Sequence, residues 1–268
     1  MSSKTLSNEL TSHDLLKTFA VIIMVVDHLG YYFFEDDLWW RAVGRIGFPV
    51  WFFLVGHSTG RDLPTRLIVA ACILQVVHSS VGLSFFPLNA LFTIICIRLV
   101  LDSLMRFALE NRARLWILSI GLAVIAMPSY VLMEYGTLGL ITAMFGYFVR
   151  HRTAINDDRL VISFMLFALL TFVFYQQVNF GFSLAQFTFM ALGTAAVRYS
   201  LLNFKALGYP GLTARCPAAL SMFFRLCGRR TLEIYVVHLV IFDALGVIFE
   251  LSGMGLFRWR LGLPVPGF

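Results

Sequence analysis

The sequence predicts an all-α fold: a polytopic membrane helix bundle of about nine to ten transmembrane helices, with the N-terminus in the cytoplasm. Three observations predict it: an apolar composition, a series of apolar runs near membrane-crossing length, and connections that alternate in charge. Of the 268 residues, 59% are hydrophobic and 13% are charged, whereas soluble domains have roughly 45–50% apolar and about 25% charged residues. We expect residues 1–268 to form a single transmembrane domain.

Nine apolar runs are predicted to be helical spans, because a helix needs ~20 residues to cross a bilayer. The first run begins after Thr11 and Ser12, which suit an N-cap, and Asp14 would lie at the positive end of the helix dipole. A tenth or re-entrant segment after residue 251 is a further option. In chain order, the predicted spans are residues 14–34, 43–60, 66–84, 88–108, 114–131, 136–150, 160–178, 182–200 and 231–250.

The connections between these runs orient the protein. The second, fourth, sixth and eighth connections hold most of the Arg and Lys residues, and the others are acidic or neutral. Because cytoplasmic loops carry the excess of Arg and Lys, this alternation places the N-terminus inside and the C-terminus outside a bacterial-type inner (plasma) membrane. Residues 217–227 are too short to cross and are predicted to lie along the inner surface. The net charge of +6 therefore reflects orientation in the lipid bilayer, and no nucleic-acid partner is expected.

The cysteines and the first apolar run exclude two further classes. The four cysteines include no CxxC spacing, so we expect neither a disulfide framework nor a metal site. The first run is full length and lacks a small-residue cleavage site, which predicts a retained signal anchor rather than a cleaved signal peptide.

The first span carries ionisable groups at two depths. Lys17 lies near its start, and Asp27 and His28 lie well inside it. At about 100° and 1.5 Å per residue, the eleven steps from Lys17 to His28 return to nearly the same helix face, about 16 Å further along. Lys17 alone could snorkel to the membrane surface. Asp27 and His28, however, point about 100° apart, so no single surface satisfies both, and we interpret them as functional.

Other polar residues in the spans have structural interpretations. Arg98 and Asp102 are four residues apart on the fourth span, which places them on one helix face and favours an ion pair. His78 on the third span favours an interhelical hydrogen bond, as polar side chains between membrane helices generally do.

The arrangement favours group transfer across the membrane. A neutral imidazole such as that of His28 is a general base poised near physiological pH. Adjacent side chains on a helix seldom hydrogen-bond to each other, so Asp27 is expected to serve the bundle while another group orients His28. On the inner side, the predicted orientation forms a cationic mouth that suits an anionic, phosphate-bearing donor. Its members are Lys17, His57, Arg61, Arg66 and Arg98.

Three stretches resemble known membrane acyltransferases. Lys17 and His28 match the Arg/Lys–x10–His motif of the membrane acyltransferase superfamily, which includes the acyltransferase-3 family. The stretches LLKTFAVIIMVVDHLGYYFF and VGRIGFPVWFFLVGHSTGR are more closely similar to the TraX family, which is associated with N-terminal acetylation of conjugative pilin. The stretch GRRTLEIYVVHLVIF is similar to the closing helix of acyltransferase-3 proteins.

The resemblance implies an activity and a set of site residues. It implies a transmembrane acetyltransferase that takes acetyl-CoA from the cytoplasm and acetylates an acceptor at the outer side, either a pilin amino group or a hydroxyl of an envelope glycan. His28 would be the catalytic histidine, and Arg45 would lie near the acceptor or the acyl carbonyl. Asp27 is also expected to be a catalytic residue, because of its position next to His28 and not because of the resemblance. Lys17 would help to bind CoA, together with the other members of the cationic mouth. Direct transfer and an acyl-histidine intermediate both stay open.

Two alternatives belong to other classes of protein. A proton-coupled transporter or flippase could relay protons through Asp27, His28 and Asp102, although the sequence lacks the paired broken helices common in transporters. A non-enzymatic membrane scaffold for a pilus or envelope complex would tolerate substitution of the same groups, provided that packing and pairing were kept.

Overall fold

The computed structural model describes residues 9–251 and 254–261. Over these residues the fold is all-α, and the chain forms no β-strand, only isolated β-bridges. The thirteen helices are α1 Ser12–Phe33, α2 Leu38–His57, α3 Thr65–Ser80, α4 Ala90–Ala108, α5 Arg112–Val124, α6 Ala126–Tyr130, α7 Gly136–Arg150, α8 Arg152–Ile155, α9 Asp158–Phe180, α10 Leu184–Leu202, α11 Pro210–Arg215, α12 Ala218–Arg229 and α13 Thr231–Ile248.

A helix or a pair of helices covers each of the nine predicted spans. The fifth span is not continuous, because α5 ends at Val124 and α6 begins at Ala126. Pro128 explains the break: it has no N–H to donate to the carbonyl of Val124 four residues earlier. Within the described residues, α1, α9 and α13 are long and apolar enough to cross a bilayer. The count of nine to ten crossings and the orientation stay predictions.

The outer surface of the bundle is rich in large apolar side chains. Ile117 on α5 is 73% exposed, Leu170 on α9 is 68% exposed, and Leu192 on α10 is 66% exposed. Water would disfavour so much exposed apolar surface, whereas lipid would not. Together with the apolar helices, it indicates a membrane protein.

The start of α1 is capped as the sequence predicted. Thr11 is the N-cap: its hydroxyl accepts from the backbone N–H of Asp14 at 3.2 Å, and the Asp14 carboxylate accepts from the backbone N–H of Thr11 at 3.0 Å. Ser12 instead joins the first turn to another loop, because its hydroxyl donates to the carbonyl of Lys205 at 2.8 Å. Arg229 at the end of α12 also contacts the Asp14 carboxylate, at 3.4 Å.

Helix α2 is the central element, since it packs against α1, α7 and α10. Two glycines allow the close approach. A Cβ at Gly44 of α2 would meet the side chain of Asp27 on α1, and a Cβ at Gly146 of α7 would meet the backbone carbonyl of Phe53 on α2. The first contact holds α1 against α2 at Asp27, where the candidate site is built, and the second holds α7 against α2.

The C-terminal elements close one side of the bundle. The predicted surface segment 217–227 forms most of α12, a twelve-residue helix that packs on α1; its position at the membrane surface stays a prediction. Residues 254–261 form no helix and run along the loop after α3, where the N–H of Gly255 donates to the carbonyl of Val81 at 2.8 Å. The rest of the segment expected after residue 251, namely 252–253 and 262–268, lies outside the described residues.

Candidate functional site

A cavity of about 580 Å³ runs beside α1 and holds seven of the eight predicted site residues. Its two ends differ in chemistry. We call the end near the start of α1 the cationic end; it is lined by His13, Lys17, His57, Arg66, Arg98 and Arg150. We call the other end, about 16 Å further along α1, the histidine end; it is lined by Asp27, His28, Arg45, Tyr135 and Tyr235.

The cations of the cationic end are not neutralised by the protein. No described carboxylate forms an ion pair with Lys17, Arg66, Arg98 or Arg150. Arg98 donates only to backbone carbonyls, those of Asp62 at 2.9 Å and Gly60 at 3.1 Å. Lys17 and Arg98 are half-buried, and Arg66 and Arg150 are exposed. Because a half-buried cation without a counter-charge is costly, this end of the cavity favours an anionic occupant.

Arg61 is the predicted site residue that does not line the cavity. Its guanidinium donates to the carbonyls of Val55 at 2.8 Å and Ser58 at 2.7 Å, and it also pairs with Asp102 at 2.9 Å. It therefore caps the C-terminal end of α2, whose last carbonyls have no helical donor. The expected Arg98–Asp102 ion pair is wrong, because Arg61 takes the carboxylate and Arg98 turns to the loop carbonyls.

The histidine end contains a chain of two imidazoles. His28 Nδ1 on α1 lies 2.7 Å from His238 Nε2 on α13, and the rings stack with their centroids 4.9 Å apart. His238 Nδ1 in turn lies 2.7 Å from the carbonyl oxygen of Ile234. The structure thus supplies the group that orients His28, from a helix 210 positions away in sequence.

Asp27 is engaged by two arginines of α2. Its carboxylate accepts from Arg41 Nη1 at 2.8 Å and from Arg45 Nε at 3.1 Å, and Arg45 Nη2 completes a second bond from that residue. Both Asp27 and Arg45 are 4% exposed. The Arg45 guanidinium also lies over the ring of Phe180, 5.3 Å from its centroid. Asp27 therefore ties α1 to α2 and makes no contact with the imidazole of its neighbour.

Besides the pair of histidines, a histidine–carboxylate pair also involves α13. Asp243 is fully buried and accepts from Tyr32 of α1 at 2.7 Å, and its other oxygen lies 2.8 Å from Nδ1 of His78 on α3. The contact of His78 with a neighbouring helix is present, but Nδ1 and this oxygen do not meet hydrogen-bond geometry, so the predicted hydrogen bond is not formed. Helix α13 is consequently held to both α1 and α3 close to the histidine end.

The sequence reasoning missed several residues that the structure brings to this cavity. Arg41 does not line the cavity but contacts Asp27 beside it, and it had a signal, since it lies four residues before Arg45 and so on the same helix face. Arg150 and His13 were visible only as residues near predicted span ends. The described residues contain no group of three or more His, Cys, Asp and Glu that could hold a metal ion.

Comparison with known proteins identifies the family. The TraX protein family model matches residues 12–246, which include every residue that lines the cavity. An uncharacterized protein of Rickettsia prowazekii (strain Madrid E) is 30% identical over 148 residues; the alignment covers 54% of this chain and 58% of that relative, a little over half of its length. No solved structure matches the chain. The chain, a helical membrane protein, therefore belongs to the TraX family.

Proposed function

We propose that this protein is an acetyltransferase of the inner membrane, which transfers an acetyl group from cytoplasmic acetyl-CoA to an acceptor at the outer side. One observation carries the proposal: a single cavity joins cations without counter-charges to an imidazole held by a second imidazole. TraX membership supports a role related to pilin, the association that family carries.

The cationic end suits the CoA moiety. CoA carries phosphates on a nucleotide and a long pantetheine arm that ends in the thioester. Lys17, Arg66 and Arg150 would bind the phosphates through charge-assisted hydrogen bonds, and the arm would extend along α1 toward His28. The cavity volume of about 580 Å³ lies within the range of small-molecule sites, roughly 300–1,000 Å³.

The histidine end would perform the transfer. In the direct route, His28 accepts the proton of the acceptor N–H or O–H while the acceptor atom attacks the thioester carbonyl carbon. The C–S bond then breaks, and the CoA thiolate leaves and takes the proton back from His28. In the two-step route, His28 attacks the thioester carbonyl carbon, the C–S bond breaks and CoA leaves as the thiolate. The acceptor atom then attacks the acetyl carbon, the bond from that carbon to the His28 nitrogen breaks, and the acceptor proton passes by way of the freed imidazole to the thiolate. Arg45 would stabilise the negative charge that develops on the carbonyl oxygen in either route.

Labelled acetyl-CoA tests the proposal. Purified protein in lipid nanodiscs receives labelled acetyl-CoA and either a pilin-derived peptide with a free amino terminus or an envelope glycan. We expect transfer by the parent, and a loss of about 10²-fold or more in His28→Ala, since general acid–base catalysis contributes roughly 10²–10⁴-fold. His151→Ala is the matched control, because His151 stacks on Tyr147 away from the cavity lining. Equal transfer by His28→Ala and the parent would overturn the role of His28.

Two further measurements distinguish the acetyltransferase from the transporter and the scaffold. A transporter relay through Asp27, His28 and Asp102 has little geometric support, since Asp102 does not line the cavity and pairs with Arg61. Solute flux driven by a pH gradient, without CoA binding, would favour the transporter. Full cellular function of His28→Gln would favour the scaffold.

A further inference from the structure

The hydrogen bonds of His238 determine which of its nitrogens carries a proton. A backbone carbonyl oxygen only accepts, so the 2.7 Å contact with Ile234 requires a hydrogen on His238 Nδ1. His238 is buried, and no described carboxylate pairs with it, so a charged imidazole is disfavoured at this position. A neutral imidazole has one N–H. His238 Nε2 is therefore an acceptor.

The same hydrogen bonds determine which nitrogen of His28 carries the proton. Because His238 Nε2 accepts, the 2.7 Å contact requires His28 Nδ1 to donate. No described carboxylate pairs with His28 either, so its charged form is disfavoured and the neutral ring has one N–H. The Nε2 atom of His28 is then without hydrogen, and no described residue forms a hydrogen bond with it. His28 itself lines the cavity. Asp27, the carboxylate nearest in sequence, cannot substitute for His238, since Arg41 and Arg45 engage it.

We propose that His238 is a positioning residue, which fixes His28 in the Nδ1–H tautomer and so presents a bare Nε2 to the cavity. The positioning role of His238 in catalysis rests on the proposed function, whereas the tautomer of His28 follows from the hydrogen bonds alone. For acetyl transfer the consequence is direct: the lone pair that takes the acceptor proton, or attacks the thioester, is on the nitrogen that His238 leaves unbonded. A group that holds a catalytic imidazole in one tautomer has a large effect on turnover in other enzymes.

Nitrogen NMR tests the tautomer without any assay of activity. The full-length protein is labelled with ¹⁵N-histidine in nanodiscs, and His28→Asn identifies the His28 signals among the six histidines. We expect protonated Nδ1 and bare Nε2 at His28 in the parent. In His238→Ala we expect that pattern to be lost in favour of the Nε2–H tautomer. His151→Asn, which changes a histidine outside the cavity lining, should leave the His28 signals in place.

Kinetics then tests the positioning role. In His238→Ala, kcat for acetyl transfer should fall by about 10²-fold or more, since general acid–base catalysis contributes roughly 10²–10⁴-fold. KM for acetyl-CoA should change little, because the cationic end is intact. His238→Gln keeps an oxygen that can accept from His28 and should recover part of the loss; it also provides a folded variant if the alanine does not fold. A parent protein with Nε2–H at His28, or an unchanged tautomer in both variants, would overturn the proposal. Absence of transfer by the parent would count against the proposed function alone, and the tautomer would still decide the role of His238.

Discussion

The two ends of the cavity treat charge in opposite ways. At the cationic end, four cations have no ion-pair partner among the described carboxylates, and Arg66 and Arg150 are exposed. At the histidine end, each of the acidic groups and histidines has a partner on a neighbouring helix: Asp27 has two arginines, His28 has His238, and Asp243 has His78 and Tyr32.

This difference separates two tasks. Cations without an ion-pair partner attract an anionic ligand and can tolerate its movement, since a surface cation acts over several ångströms. Groups that already form ion pairs or hydrogen bonds within the protein have a fixed side-chain geometry before any ligand binds, which is the requirement for a catalytic centre. Substitutions at the histidine end should therefore damage the fold or turnover, and those at the cationic end should weaken ligand binding.

The largest expected effect belongs to Asp27→Ala. Removal of this carboxylate leaves the buried Arg45 and the half-buried Arg41 without a counter-charge. Breaking a buried pair by removal of one partner costs about 3–5 kcal/mol. Unfolding in mixed detergent micelles measures the loss. Asp102→Ala is the matched control: its carboxylate is 52% exposed, so the loss should be about 1 kcal/mol or less. Equal losses of stability in the two variants would show that the ion pairs of Asp27 contribute no more to stability than the exposed pair of Asp102.

Gly44→Ala should have the next largest effect. The added Cβ would meet the Asp27 side chain, and overpacking of this kind costs about 1–3 kcal/mol. Gly121→Ala is the control, because no heavy atom lies within 4 Å of the Cβ it would add. The control should be neutral or stabilise the helix by about 0.5–1 kcal/mol. The same unfolding assay compares the two, and a neutral Gly44→Ala would contradict the close packing of α1 on α2.

A smaller effect is expected at the cationic end, from Lys17→Met. Loss of one charge-assisted contact should weaken CoA binding by about tenfold, or about 1.4 kcal/mol, with little change in unfolding. Calorimetric titration with CoA at low and high salt measures it, and the difference from the parent should shrink at high salt. Lys205→Met, at an exposed lysine outside the cavity lining, should bind CoA as the parent does. An unchanged affinity in Lys17→Met would remove Lys17 from the binding site.

The smallest expected effect on CoA binding is that of Arg61→Met. Arg61 caps α2 and does not line the cavity, so its loss should lower stability by about 1 kcal/mol and leave the affinity for CoA unchanged. Unfolding in detergent micelles measures the stability of Arg61→Met, and calorimetric titration with CoA measures its affinity. A tenfold loss of affinity with unchanged stability would restore Arg61 to the set of CoA-binding residues that the sequence predicted.

Local patterns predicted much of this arrangement. Hydrophobic run length located every long helix, and the Thr11 cap followed from side-chain chemistry that acts over three residues. The Lys17–His28 face followed from helical periodicity, and both residues line one cavity. These inferences succeeded because helix geometry fixes the relation between residues on one element.

Pairing between elements was harder to predict. The spacing of Arg98 and Asp102 satisfied the rule for a helix face, yet the loop between α2 and α3 offered each residue a nearer partner. The His28–His238 contact had no local signal, because it depends on how α13 packs against α1. Tertiary packing determines which residues of different elements pair, because several residues of similar chemistry could serve as partners for the same group.

The distance in sequence between His28 and His238 has a consequence for biogenesis. Helix α1 is made first, whereas α13, which also supplies Thr231, Leu232 and Tyr235 to the cavity wall, leaves the ribosome after the other described helices. Under the proposed function, acetyl-CoA that reached a nascent chain before α13 was in place would meet His28 without His238, in a cavity without its α13 residues. A chain stopped before α13 should therefore be inactive in the transfer assay, even if its earlier helices were inserted correctly.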